Sequence, residues 1–182
     1  IYLAALQLQQ NQATAAMAHA EQALVIAQEL RSDVLRGLAL LRLGRAQIMA
    51  DQAETALISL TEALALRTVP QQPHLVVDVL AALVACYLAL NNIPEAAAHA
   101  GRLMQQLQIA NADAVEDPIY ALVITYQALS QNGAELAETA LHMANDLLQS
   151  RARQITDANQ RKHFFQNIPT HQQLLAALKP KL

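Results

Sequence analysis

The stretch ALISLTEA at residues 56–63 decides how the chain is to be read, because its pattern returns three more times. Its counterparts are AMAHAEQA at 16–23, AAAHAGRL at 96–103 and AETALHMA at 137–144, so the leading alanine recurs at steps of 40, 40 and 41 residues. Self-similarity at a fixed period of this size is the mark of a repeat architecture. Four residues after that alanine stands Ala20, Leu60, Ala100 or Leu141, and seven after it Ala23, Ala63, Leu103 or Ala144. The i, i+4, i+7 spacing gives one buried face of a helix. Thirteen positions earlier an apolar residue recurs as Leu3, Leu43, Leu83 and Ile124, and belongs to a first helix. The position after it is Ala4, Gly44, Val84 or Thr125, small in three units, where two helices would come close.

Short polar turns divide the two helices of each unit: Gln10, Asn11, Gln12; Asp51, Gln52; Asn91, Asn92; and Gln131, Asn132, Gly133. Asn and Gly tolerate the left-handed conformation that ends a helix. Pro94 falls in a first turn, and Asp117 followed by Pro118 reads as an N-cap and first helical residue. Between units the breaks are Arg31 to Asp33, Val69 to Pro73 and Asn111 to Asp117. The chain is therefore one domain made of a truncated first repeat (1–30), a second (31–69), a third (70–110), a fourth (111–155) and a cap (156–182). In the cap, Asp157 is placed to start a short helix through Gln166. Thr170 and Gln173 have capping-box spacing for a last helix ending near Leu178.

Composition agrees with an all-α chain: 54% of residues are apolar but only 3% aromatic, with four glycines and no tryptophan. A sheet would call for more β-branched and aromatic residues. The formal charge of −3, from 12 basic and 15 acidic residues, gives no general attraction to nucleic acid or to an anionic membrane. Arg36, Arg42 and Arg45 interrupt the most apolar segment, which argues against a membrane span. The start Ile1, Tyr2, Leu3 lacks both an initiator Met and a signal peptide and looks like an internal cut from a larger cytoplasmic protein. The lone Cys86, in an apolar run, is expected in the core.

The second unit resembles the tetratricopeptide repeat through Leu40, Leu43, Gly44, Gln47, Ala56, Leu60 and Ala63, with Tyr87 supplying the motif's aromatic in the third unit. The resemblance covers residues 1 to 150 and implies a right-handed α-α superhelix, a solenoid of helix-turn-helix repeats with a C-terminal capping helix. The period of 40 or 41 exceeds that family's about 34. The large aromatic at the first motif position is also missing. The run from Arg161 through Phe164, Phe165, Asn167 and Pro169 to His171 is similar to a closing motif, arginine then FL-N-P-H. That motif follows tetratricopeptide arrays in large bacterial ATP-binding signalling regulators, including LuxR-type transcription activators.

Chemistry is sparse. His19, His74, His99, His142, His163 and His171 show no metal-ligand spacing; His19 and His99 share one repeat position. There is no phosphate loop and no nucleophile elbow, so no catalysis and no cofactor are expected. Glu135 with Glu138, and Glu21 with Glu29, read as solvated helix positions. The basic cluster Arg151, Arg153, Arg161 and Lys162 is read as a solvated face near a helix C-terminus.

The tetratricopeptide resemblance implies that first helices line a concave groove. Carried over, its positions are Leu38, Leu41, Arg45, Ile48 and Met49; then Asp78, Ala81, Ala85, Leu88 and Ala89; then Ile119, Leu122, Tyr126, Leu129 and Ser130. So apolar a groove is expected to hold a protein or peptide, or a domain of the parent chain. Arg45 and Tyr126 would give it polar orientation. The expected role is a scaffold or interaction module, the regulatory or sensor arm of a signalling protein. The alternative is a self-association element forming a homodimer without external ligand.

Overall fold

The computed structural model describes residues 1–67, 73–110, 114–130 and 135–179, and within them the chain is all-helical with no strand. The helices are α1 (Tyr2–Gln9), α2 (Ala13–Glu29), α3 (Asp33–Met49), α4 (Ala53–Arg67) and α5 (Pro73–Ala89). They continue with α6 (Ile93–Ile109), α7 (Pro118–Ser130), α8 (Glu135–Gln154), α9 (Ala158–Gln166) and α10 (Pro169–Ala177). Each helix packs on the next through α8. The odd-numbered row also touches directly, α1 on α3, α3 on α5 and α5 on α7. At the far end α10 lies against α7 and α8, in the place a further first helix would take.

Helix ends follow local chemistry. Asn11, Asp51 and Asn91 adopt φ of 56°, 57° and 54° after α1, α3 and α5, and Arg31 adopts 49° after α2. Each closes its helix identically. The Asp51 N–H donates to the Ile48 carbonyl and the Gln52 N–H to that of Gln47; the same pair of bonds recurs at Asn11/Gln12, Arg31/Ser32 and Asn91/Asn92. This paired closure satisfies carbonyls the helix leaves open. The side chains of Ser32, Asn92, Asp117 and Asp157 accept from the backbone N–H three residues on, capping α3, α6, α7 and α9. Pro94 lies in the first turn of α6 and Pro118 opens α7, as the sequence indicates. The expected turn at Gln131, Asn132 and Gly133, and the break residues Val69 to Gln72 and Asn111, lie outside the described residues.

The last helix departs from expectation. It starts at Pro169 after Ile168 and has no side-chain cap, so Thr170 and Gln173 form no capping box. Proline's fixed φ suits a first helical position, and it begins the helix ahead of Thr170. Gln173 instead accepts from Gln127 on α7.

The core is the repeat pattern made physical. The leading alanines Ala16, Ala56, Ala96 and Ala137 are buried, as are Ala20, Leu60, Ala100 and Leu141 four residues on. Of the third set, Ala63, Leu103 and Ala144 are buried, while Ala23 is half-buried because α1 spans 8 residues where α3 and α5 span 17. A methyl at Gly44 would come within 2.5 Å of Leu60 Cγ, whereas one at Gly101 would meet nothing within 4 Å. Gly44→Ala therefore loses about 1–3 kcal/mol to overpacking against a fully buried leucine. Gly101→Ala gains about 0.5–1 kcal/mol from helix propensity. Urea unfolding of the two variants checks the opposite signs.

Candidate functional site

The inward side of the odd-numbered helices is closed more tightly than a groove. Groups on α3 there meet the α6–α7 connector and the start of α7. Arg42 Nη2 reaches Glu116 Oε2 at 2.6 Å, and the Arg45 guanidinium lies 5.3 Å from the Tyr120 ring centre. As a result Leu41, Ala81, Ile119, Leu122 and Leu129, expected on an open groove, are buried in the core and offer a partner nothing. Leu38, Ala85, Leu88 and Tyr126 are half-buried, and Ala89 and Ser130 are exposed. Of the expected row, Arg45, Ile48 and Met49 line one open space together.

That space is a cleft of about 640 Å³. One wall is the end of α1 (Leu8, Gln9, Asn11) with Arg45, Ile48 and Met49 of α3. Glu116, Asp117 and Tyr120 form the floor toward α7. Arg151 of α8 and the α9–α10 turn, from Asn167 to His171 with Phe164, complete it. Sequence spacing could not join these stretches, because periodicity assigns each helix an inward face but not the curvature that brings distant units together.

Beneath the cleft lies a buried charge cluster. Arg42 and Arg67 are only 6% and 3% exposed. The Glu116 N–H donates to Asp78 Oδ1 at 3.3 Å, and Arg67 Nη2 donates to the Val34 carbonyl at 3.3 Å. Gly37 makes room for Arg67, whose Nε would lie 2.8 Å from a methyl there. Nε and Nη1 of both arginines are buried without a hydrogen-bond partner. Burial, then the neighbouring Glu116 charge, pushes the Asp78 carboxyl up to about 7. Burial also lowers Arg67, and it raises the Tyr120 hydroxyl. The sequence carried one signal for this cluster: Arg42 occupies a repeat position held by Tyr2, Ala82 and Val123 in the other units.

The cap motif is structural. Arg161 Nε and Nη2 donate to the Ile155 carbonyl at 3.0 and 2.6 Å. The buried His171 donates from Nδ1 to the Phe164 carbonyl at 2.7 Å and packs edge-on against the Phe164 ring, with centres 4.5 Å apart. Of the basic cluster, Arg161 is thereby committed, Arg153 and Lys162 are exposed, and Arg151 lines the cleft. Cys86 is buried, donates to the Ala53 carbonyl at 3.1 Å and has its thiol pushed up to about 11, chiefly by burial. Among the described residues no three His, Cys, Asp or Glu side chains converge to hold a metal, and no helix is long and apolar enough to cross a membrane.

No family model, curated protein or solved structure matches this chain.

Two predictions follow from the cluster and the cap. Asp78 holds its proton to higher pH in the fold than its ordinary 3.8, so its contribution to stability is full below about 4 and is lost as pH rises through about 7. The fall is at most about 1.4 kcal/mol per pH unit. Asp78→Asn flattens this dependence, as measured by urea midpoints between pH 4 and 8. His171→Ala leaves the Phe164 carbonyl without its donor and costs about 1–3 kcal/mol, read as a lowered urea midpoint.

Proposed function

We propose that this chain is a non-catalytic binding module of the tetratricopeptide kind, a right-handed solenoid whose inward cleft holds a segment of a protein or peptide, or of its own parent chain. It serves as the regulatory or sensor arm of a larger cytoplasmic bacterial signalling protein, touching neither nucleic acid nor membrane. The observation that carries the reading is the cleft itself. Its volume of about 640 Å³ lies within the about 300–1,000 Å³ usual for ligand sites. Its walls combine apolar Ile48, Met49 and Ile168 with a few polar groups. The fourfold recurrence of buried alanine-led faces and the sequential packing of the helices support the solenoid assignment. The Arg161 to His171 run supports the signalling context by resemblance alone.

Selection from a displayed library of random short peptides tests the reading, with an Ile48→Glu, Met49→Glu variant as counter-target. Met49 is exposed whereas Ile48 packs in part against the core, so the variant's thermal midpoint is compared with the wild type before selection. Peptides enriched on the wild type and not on the variant are the expected result; equal recovery on both sinks the proposal.

Self-association has its own observation. Tyr2, Leu3 and Leu6 are 91%, 58% and 50% exposed, although the corresponding Arg42, Leu43 and Ala46, and Ala82, Leu83 and Cys86, are buried. Ile26, in the last turn of α2, and Leu30 just after it are also exposed. If this face pairs with a second copy, sedimentation velocity shows a dimer that grows with concentration and vanishes in Leu6→Glu. A monomer throughout removes this reading.

A further inference from the structure

We infer that the cleft is built to take an oxyanion on a short apolar body, held between Arg45 of α3 and Arg151 of α8 at the uncapped start of α10. The inference rests on the reading of the cleft as the binding site and adds the chemistry of its occupant.

Three independent features converge. The first is a pair of uncommitted guanidiniums from opposite ends of the chain. Neither Arg45 nor Arg151 forms a hydrogen bond or ion pair among the described residues; Arg45 stacks over Tyr120, and its charge acts at longer range on the Asp78 carboxyl. Stacking leaves the guanidinium edge and its N–H groups available, and that edge matches a carboxylate or phosphate. The second is that both acids of the wall are engaged. Glu116 is paired with Arg42, and Asp117 accepts the Tyr120 N–H at 3.0 Å. Counting the buried layer, Arg42, Arg45, Arg67 and Arg151 face Asp78, Glu116 and Asp117, and Asp78 resists ionisation, so positive charge is in excess. The third is the first turn of α10. It has no side-chain cap, and the N–H groups of Thr170 and His171 have no partner among the described residues. A helix start with free N–H groups favours an anion. His171 spends Nδ1 on the Phe164 carbonyl, which leaves Nε2 as its free ring nitrogen in the same wall. Ile48, Met49 and Ile168 supply the apolar surface for the body of the ligand.

The oxyanion can come from a free organic acid or phosphate ester, or from an acidic side chain of a bound segment. Calorimetric titration of the purified chain distinguishes these sources, using glutarate, glucose 6-phosphate and an acidic hexapeptide, with glutaramide as the neutral control. Saturable binding of at least one anion is expected, weakened about tenfold by Arg151→Gln and unchanged by Arg153→Gln, whose side chain is outside the cleft. Arg151→Gln removes no hydrogen bond or ion pair, so its thermal midpoint should match the wild type. Binding of glutarate or the sugar phosphate marks a free small anion, and binding of the hexapeptide alone marks a partner segment. The inference is overturned if no anion binds, if glutaramide binds as tightly, or if Arg151→Gln has no effect. The peptide selection above would still report on the cleft as a partner site, so the two readings fail separately.

Discussion

The close crossing of α3 and α4 at Gly44 and Leu60 is the constraint on which the rest depends. Leu60 is fully buried against a backbone with no side chain, so the two helices approach until the leucine fills the space a methyl would occupy. Burying one such side chain is worth about 2 kcal/mol, but its geometric effect is larger than that figure. Small residues recur at the same place as Ala4, Gly44 and Thr125, all buried, and only in the third unit does a larger Val84 stand there, packed with Ala96 and Ala100 of α6. Thr125 keeps its hydroxyl satisfied by donating to the Ala121 carbonyl at 2.8 Å. A chain with few aromatics and many alanines reaches native packing density by bringing backbones close instead of filling gaps with rings.

Close packing alone would leave the α6–α7 connector untied, and the charge cluster fixes it. Asp78 accepts the Glu116 N–H while Glu116 takes Arg42, so a segment that follows α6 is bonded to both α5 and α3. Buried charges are expensive, and an apolar replacement of similar volume is often as stable. What the cluster supplies is position: it places Glu116, Asp117 and Tyr120 as the floor of the cleft. Nε and Nη1 of Arg42 and Arg67 stay buried and partnerless in this arrangement.

Much of the local structure was legible from residue order. Alanine spacing gave the buried face of every second helix, and Pro94, Pro118 and Asp157 marked helix starts because each acts within one turn. The failures are those of longer range. Pro169 overrode the Thr170 and Gln173 spacing because ring geometry sets the first helical residue before a side chain can cap it. Leu41, Ile119 and Leu122 enter as groove positions through the tetratricopeptide resemblance, and here they are buried. Whether such a face is open or packed depends on how the helices pack across units, which spacing does not carry. No rule of spacing links Arg45 to Arg151; the third unit lies between theirs along the chain and had to be folded first.

The cap shows why one basic residue of its cluster stands apart. Arg161 and His171 both spend their donors on backbone carbonyls, of Ile155 and Phe164, that helix ends and turns leave open. Those bonds hold α9 against α10 at a fixed angle, and Leu174 buries itself beside α7 and α8 as a result. The turn between the two short helices thereby lines the same cleft as Arg45 of α3. Arg151 precedes the cap on α8 and has no carbonyl or carboxylate to satisfy. A cluster that reads as uniform positive charge in the sequence is divided by the fold into a clamp, a solvated face and one guanidinium left for the cleft.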